Sequence, residues 1–99
     1  MKELISKILQ WHKDRNLIAG ATDLSQLFKL REEVDELEQS ILNGSSPVDD
    51  IGDIIVVLVN IAERNGLTID ECLEHAYNDI KDRKGRMING LFVKEGGTE

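Results

Sequence analysis

Apolar residues recur along this chain at intervals of three and four, the spacing that places them on one face of an α-helix. The first such stretch runs from about Lys2 to about Asp14. Its apolar face consists of Leu4, Ile5, Ile8 and Trp11 (or Leu9). A loop containing Gly20 follows. The second stretch begins at Thr22-Asp23, which are good N-cap residues, and continues to Ile41.

The clearest break in the pattern is Asn43-Gly44-Ser45-Ser46-Pro47, because Asn-Gly ends a helix and Pro suits the start of the next. The segment from Val48 to Asn65 is ambiguous, since its run Ile54–Val59 is apolar and mostly β-branched, as in a strand. We predict a helix because the segment, at about 17 residues, is longer than an ordinary strand and has an acidic first turn. Its apolar residues cover nearly the whole circumference, so we expect the central, most buried helix.

A fourth helix is predicted from Thr68 or Asp70, and it becomes basic towards its end. The basic residues are Lys81, Arg83, Lys84 and Arg86. Asn89-Gly90 then turns the chain into a short tail, Leu91-Phe92-Val93. The pattern therefore predicts an all-α protein of four helices, in which the second and third form an antiparallel hairpin and dimerisation completes the fold. We predict a single domain over residues 1–95 and a flexible tail at 96–99.

Length and charge exclude several classes of protein. Ninety-nine residues suffice for one domain, and the net charge of −7 argues against sequence-independent nucleic-acid binding, which needs a basic surface. The longest wholly apolar run is too short to span a bilayer, and the N-terminus lacks an export signal. The lone Cys72 cannot form an internal disulfide. We expect a cytoplasmic protein that binds neither nucleic acid nor membrane.

Two acidic clusters carry the most informative chemistry. One is Glu32-Glu33-Val34-Asp35-Glu36 in the second helix, and the other is Asp49-Asp50-Ile51-Gly52-Asp53 at the start of the third. Residues three apart share a helix face, which pairs Glu33 with Glu36 and Asp50 with Asp53. The short connection makes the two helices antiparallel neighbours, so these four carboxylates can converge.

Converging carboxylates repel one another unless a cation neutralises them, and Mg²⁺ and Mn²⁺ prefer oxygen ligands. No His is suitably placed among the acids, which argues against zinc or a di-iron site. The alternative is a solvated acidic face, the usual meaning of such runs on helices. Asp49 and Asp50 would then act on the helix dipole, but Asp53 lies past the first turn. The spacing leaves both interpretations open.

The pattern Lys29-Leu30-x-Glu32-Glu33-x-x-Glu36-Leu37 followed by Asp50-x-x-Asp53 resembles the MazG-type all-α NTP pyrophosphatases, with their E-E-x-x-E … E-x-x-D signature. The likeness runs from the Gln10-Trp11-His12 region to the tail. There, residues 80–87 and 89–94 look like the small MazG-like proteins of phages and Gram-positive bacteria. One departure is Asp50, where the family more often has Glu, so this shorter side chain would bind metal directly or through water.

The resemblance implies hydrolysis of (d)NTPs to (d)NMP and pyrophosphate for house-cleaning or nucleotide-pool control. It implies a requirement for Mg²⁺, with Mn²⁺ as a substitute, and assembly as a homodimer or as a tetramer of two dimers. The residues carried over as metal ligands are Glu33, Glu36, Asp50 and Asp53. Glu33 and Glu36 are thereby also catalytic, and Glu32 is a further ligand or the group that orients the attacking water.

Basic groups should hold the triphosphate, and the sequence offers two sets. The first follows the fourth helix and comprises Lys81 (with Asn78 one turn before it), Arg83 and Lys84; the second is Lys29, one turn before the acids. The alternative for the first set is a helix C-terminus that complements its own dipole.

Base recognition is less visible in the sequence. Trp11 either stacks on a base or belongs to the core or an interface. His12 is expected at the surface. Asn60 lies in an apolar helix, so it should satisfy a buried polar contact with nucleotide or with a neighbouring helix.

Two rival functions remain. One is a non-catalytic helical dimer acting as a regulatory, antitoxin-like protein, and the other is a phosphohydrolase for a different pyrophosphate-containing nucleotide.

Overall fold

A computed structural model of the chain describes residues 2–95, which form four α-helices followed by two β-strands. The helices are α1 (Lys2–Asp14), α2 (Asp23–Asn43), α3 (Val48–Arg64) and α4 (Ile69–Ile80). The strands are β1 (Gly85–Ile88) and β2 (Leu91–Lys94). The chain divides into two compact units, Met1–Ile69 and Asp70–Glu99. Over the described residues, no helix has the length and apolar character needed to cross a membrane. The predicted tail at 96–99 lies outside these residues.

The ends of α2 follow the predicted capping signals. Thr22 caps the N-terminus through a reciprocal pair, in which the Ser25 backbone N–H donates to Thr22 Oγ1 and the Thr22 N–H donates to Ser25 Oγ, each at 3.0 Å. At the other end Gly44 adopts a left-handed conformation with φ of 69°, which glycine reaches without steric cost. Pro47 then caps the start of α3. These local signals fix the short connection that sets α2 beside α3.

Helix α3 is the centre of the first unit, because α1 and α2 both pack against it. The end of α3 meets the start of α2, where Arg64 Nε donates to Asp23 Oδ1 at 2.9 Å. Helices α2 and α3 are therefore antiparallel, as predicted. The end of α1 packs against the second half of α3, where His12 contacts Val56 and Lys13 pairs with Glu63.

The core of this unit is small. Within residues 2–95 the buried apolar residues are Val57, Val59 and Ala62, all on α3, which confirms the prediction of a central helix. Another face of the same helix stays exposed, however. Its apolar residues recur at three-four-three spacing: Val48, Ile51, Ile55 and Leu58. A single chain therefore leaves an apolar stripe uncovered, which we call the α3 stripe.

The all-α prediction is incomplete in the second unit. Helix α4 ends at Ile80, so Lys81, Arg83 and Lys84 follow the helix and Arg86 lies on β1. Strands β1 and β2 form an antiparallel two-stranded sheet with Ile88 opposite Leu91.

The turn between the strands explains the difference. Asn89 and Gly90 have positive φ values of 52° and 81°, which the two central residues of a type I′ turn require. Apolar residues on both sides of Asn-Gly then pair across the strands instead of forming a tail. Gly85 is also constrained, because a Cβ there would collide with the Val93 carbonyl and the Phe92 ring.

Candidate metal centre

Three carboxylates converge where α2 packs against the start of α3. Glu33, Glu36 and Asp53 each place one oxygen within 4.8 Å of the others. The first two lie one turn apart on α2, and the third comes from α3. Antiparallel packing of the helical hairpin therefore brings together three of the four predicted metal ligands. We call these residues the acid trio.

Two other predicted residues lie near the trio but outside it. Asp50 is half-buried one turn before Asp53, and its charge gives the smallest of the contributions that raise the pKa of Glu36. Glu32, the predicted water-orienting residue, has an exposed side chain that accepts a hydrogen bond from Lys29 Nζ at 3.5 Å. Direct ligation by either residue stays a prediction.

Glu33 is the buried member of the trio, with only 5% of its surface exposed. Its Oε1 pairs with Lys29 Nζ at 3.2 Å. Its Oε2 is buried and has no hydrogen-bond donor among residues 2–95. A buried carboxylate oxygen without a donor costs free energy, of about 1–3 kcal/mol or more for a charged group. A cation beside Oε2 would remove this cost.

The Glu33 carboxylate disfavours the charged form of its neighbour Glu36. A hydrogen bond that protonated Glu36 can donate to Glu33, and then the negative charge of Glu33, raise the pKa of Glu36 above its ordinary value. The Lys29 ammonium opposes this shift. Glu33 also acts on the lysine, because a hydrogen bond to Glu33 and the charge of Glu33 raise the pKa of Lys29. The three carboxylates of the trio therefore carry more negative charge than the single Lys29 ammonium beside them neutralises.

The donor set fits a hard divalent cation. All three groups offer carboxylate oxygens, which are the ligands that Mg²⁺ and Mn²⁺ prefer. Glu36 and Asp53 are exposed, so positions for water or substrate would remain open. The trio offers no sulfur or imidazole ligand, the types that structural zinc sites mostly use.

A cavity of about 440 Å³ adjoins the trio through Asp53. Its lining consists of Lys7, Ile8, Trp11, Asp53 and Val56. This volume and mostly apolar lining suit a small organic ligand. Trp11 is 45% exposed, so it is not a core residue. The guanidinium of Arg15 lies 4.3 Å from the centre of the indole ring, and Arg15 is not among the residues that line the cavity.

A buried polar network joins α1 to α3. The ring of His12 receives a hydrogen bond at Nδ1 from Asn60 Nδ2 at 3.3 Å and lies with Nε2 2.9 Å from the Val56 carbonyl oxygen. Because a carbonyl oxygen only accepts, Nε2 carries the proton. Asn60 Nδ2 also donates to the Leu17 carbonyl at 3.0 Å. Asn60 thus makes the predicted contact with a neighbouring helix.

The expectation that His12 lies at the surface is wrong, since only 3% of the residue is exposed. The spacing contained the signal, because His12 follows Ile8 by four residues and Leu9 by three. It therefore continues the inward face of α1. Lys7 was likewise not singled out by the sequence, where it is one of several lysines in an amphipathic helix.

The predicted phosphate-binding residues fall into two groups. Asn78, Lys81, Arg83 and Lys84 are exposed residues of the second unit. Their role stays a prediction. Lys29, in contrast, contacts Glu32 and Glu33 directly.

Comparison with known proteins gives one informative similarity. No protein-family model matches the chain, and no solved structure matches it. The chain is similar to an uncharacterized 18.2 kDa protein encoded in the rep-hol intergenic region of Haemophilus phage HP1, with 41% identity over 76 residues. The match covers 75% of this chain and 45% of that protein, so the chain spans less than half the length of this relative.

Proposed function

We propose that the protein is a Mg²⁺-dependent nucleoside triphosphate pyrophosphohydrolase of the MazG-like type, which cleaves (d)NTPs to (d)NMP and pyrophosphate. The observation that carries the proposal is the junction at Asp53, where the acid trio meets the apolar cavity. A cation site beside a cavity for an aromatic ring matches the two halves of a nucleotide. The phosphates would lie at the trio and the base against Trp11.

The trio would hold the cation, and Asp50 would add a ligand directly or through water. A bound Mg²⁺ supplies positive charge for the phosphate oxygens and polarises water for attack. The exposed Glu32 is our candidate for the group that orients this water and accepts its proton. Lys81, with Arg83, Lys84 and Asn78, is our candidate set for holding the triphosphate.

The family assignment is supported by the way the signature residues meet. The E-E-x-x-E half of the motif supplies Glu33 and Glu36, the E-x-x-D half supplies Asp53 as its last residue, and these three residues converge. The unpartnered α3 stripe supports a homodimer or a tetramer, since an apolar face of this regular spacing is suited to packing against another helix.

Asp53→Asn tests the function most directly. This variant removes one carboxylate charge from the trio at an exposed position, so folding should be unaffected. We expect pyrophosphate release from dNTPs and Mg²⁺ to fall at least about 100-fold, at or beyond the upper end of losses seen when a ligand's supporting partner is removed. Asp49→Asn, in the same first turns of α3 but outside the trio, is the matched control and should keep its activity.

Product analysis separates the alternatives. Formation of a nucleoside monophosphate with pyrophosphate supports the proposal, whereas a diphosphate with phosphate contradicts it. If wild-type protein turns over none of the common or damaged nucleoside triphosphates, the proposal fails and the rival, a non-catalytic regulatory dimer, is favoured.

The cavity assignment has its own test in Trp11→Ala. Stacking of a base on an aromatic side chain contributes about 1–3 kcal/mol, so we expect KM for the nucleotide to rise roughly tenfold with a smaller change in kcat. Trp11→Phe retains a stacking surface and should lie near wild type. A fall in kcat at unchanged KM would place the base elsewhere.

A further inference from the structure

Lys29 contacts the buried acid of the trio rather than standing free for substrate. Its Nζ lies 3.2 Å from Glu33 Oε1 and 3.5 Å from Glu32 Oε2. The side chain of Glu33 is only 7% exposed, while that of Lys29 is 51% exposed. The pair is therefore anchored on one side by a nearly immobile carboxylate, and one turn of α2 sets the distance between the two residues.

This contact gives the two oxygens of Glu33 different surroundings. Oε1 is occupied by the lysine, and Oε2 is buried without a donor among the described residues. We propose that Lys29 is a positioning residue of the cation site, which holds Glu33 by Oε1 so that Oε2 alone binds the metal. The inference rests on the proposed function only in taking the acid trio as a cation site.

Two opposite effects on cation affinity follow from such a lysine. Its positive charge weakens binding of a nearby cation, but the ammonium is half exposed and screened, which limits the effect to less than about fivefold. Its hold on Glu33 strengthens binding, because loss of a partner that orients a metal ligand typically costs about 10–100-fold in affinity. Positioning therefore outweighs repulsion. If Lys29 instead contacted only the triphosphate, replacing it would leave cation affinity unchanged in the absence of nucleotide.

The test is titration of the full-length protein with Mg²⁺ alone by calorimetry, and with Mn²⁺ alone by electron paramagnetic resonance. We expect Lys29→Met to weaken cation binding about tenfold or more. Lys29→Arg keeps a charged donor and should restore affinity to within about threefold of wild type. Lys29→Gln keeps a donor without the charge and should lie between them.

Lys13→Met is the matched control. Lys13 is 49% exposed and pairs with Glu63 at 3.9 Å, outside the trio. Its removal should leave cation binding unchanged, and circular dichroism in EDTA should show the same helical signal for all variants. If Lys29→Met does not fold, the comparison of Lys29→Gln with Lys29→Arg carries the same test.

The outcomes separate this inference from the proposed function. Unchanged or tighter binding by Lys29→Met overturns the positioning role while leaving the enzyme assignment intact. Weaker binding by this variant, with no pyrophosphate released by wild type from any nucleotide, supports the positioning role and overturns the enzyme assignment. A wild-type protein that binds neither Mg²⁺ nor Mn²⁺ overturns both.

Discussion

The two ends of α3 differ in how their polar side chains are paired. Towards its C-terminus, donors face acceptors. Asn60 donates to His12 and to the Leu17 carbonyl in the loop between α1 and α2, and Arg64 pairs with Asp23. Towards its N-terminus, Asp53 faces two further carboxylates on α2. Among the described residues each cluster contains one buried oxygen without a donor, Asn60 Oδ1 in the first and Glu33 Oε2 in the second, but only the second also sets like charges side by side.

This difference separates polar groups that stabilise the fold from polar groups that contribute little to its stability. The C-terminal network ties α1, the following loop and the start of α2 to α3, so its loss should cost stability. The acid trio gains little for the fold, because its carboxylates carry like charges and repel one another. Groups that a fold keeps at such a cost are candidates for binding or catalysis.

Asn60→Ala should give the largest change in stability at the C-terminal end. The substitution leaves His12 Nδ1 and the Leu17 carbonyl without their donor, and Asn60 itself is fully buried. We expect the free energy of unfolding to fall by about 2–4 kcal/mol, the sum of two unsatisfied buried groups and a small cavity. Urea denaturation in EDTA measures this change without any contribution from a cation.

Asn65→Ala is the control for that loss. Asn65 is exposed at the end of α3, and its amide reaches Asp23 at 3.3 Å. We expect a change of about 0.5 kcal/mol or less, as for most surface substitutions. If Asn60→Ala costs no more than this control, the buried network does not hold the first unit together.

Local signals account for how well the first three helices were predicted. The apolar spacing, Thr22, Gly44 and Pro47 each act within a few residues of the boundary that they determine. A short connection between two helices also leaves few ways of packing them, so the meeting of two acidic clusters followed from the sequence. The sequence did not determine which acids of the two clusters come together. Asp50 and Asp53 share a face, and only the axial offset of the packed helices decides that Asp53 joins the trio.

The misinterpreted segments show where a single pattern misleads. The basic run after Ile80 resembles the end of a helix, but Asn89-Gly90 between apolar residues is a hairpin signal and decides the local structure. His12 is expected at the surface, although its position continues the inward face of α1. Its burial depends on Asn60, 48 residues further along the chain, so the partner that makes it favourable is not visible locally.

Glu36→Gln should have the smallest effect on stability and the opposite sign. Because Glu33 raises the pKa of Glu36 in the folded chain above its unfolded value, the charged form is disfavoured on folding. The resulting penalty is present at neutral pH and is relieved as pH falls through the raised pKa, where the folded chain takes up a proton first.

The neutral amide introduced at position 36 removes this repulsion and can donate to Glu33. In EDTA we therefore expect a slightly higher melting temperature than wild type at pH 7, with the gap closing towards acid pH. In Mg²⁺ the order should reverse, since only wild type gains stability from a bound cation. Glu38→Gln, on the same helix but outside the trio, should show neither behaviour. A melting temperature for Glu36→Gln below wild type in EDTA would mean that the trio stabilises the fold by itself, and the contrast between the two ends of α3 would be lost.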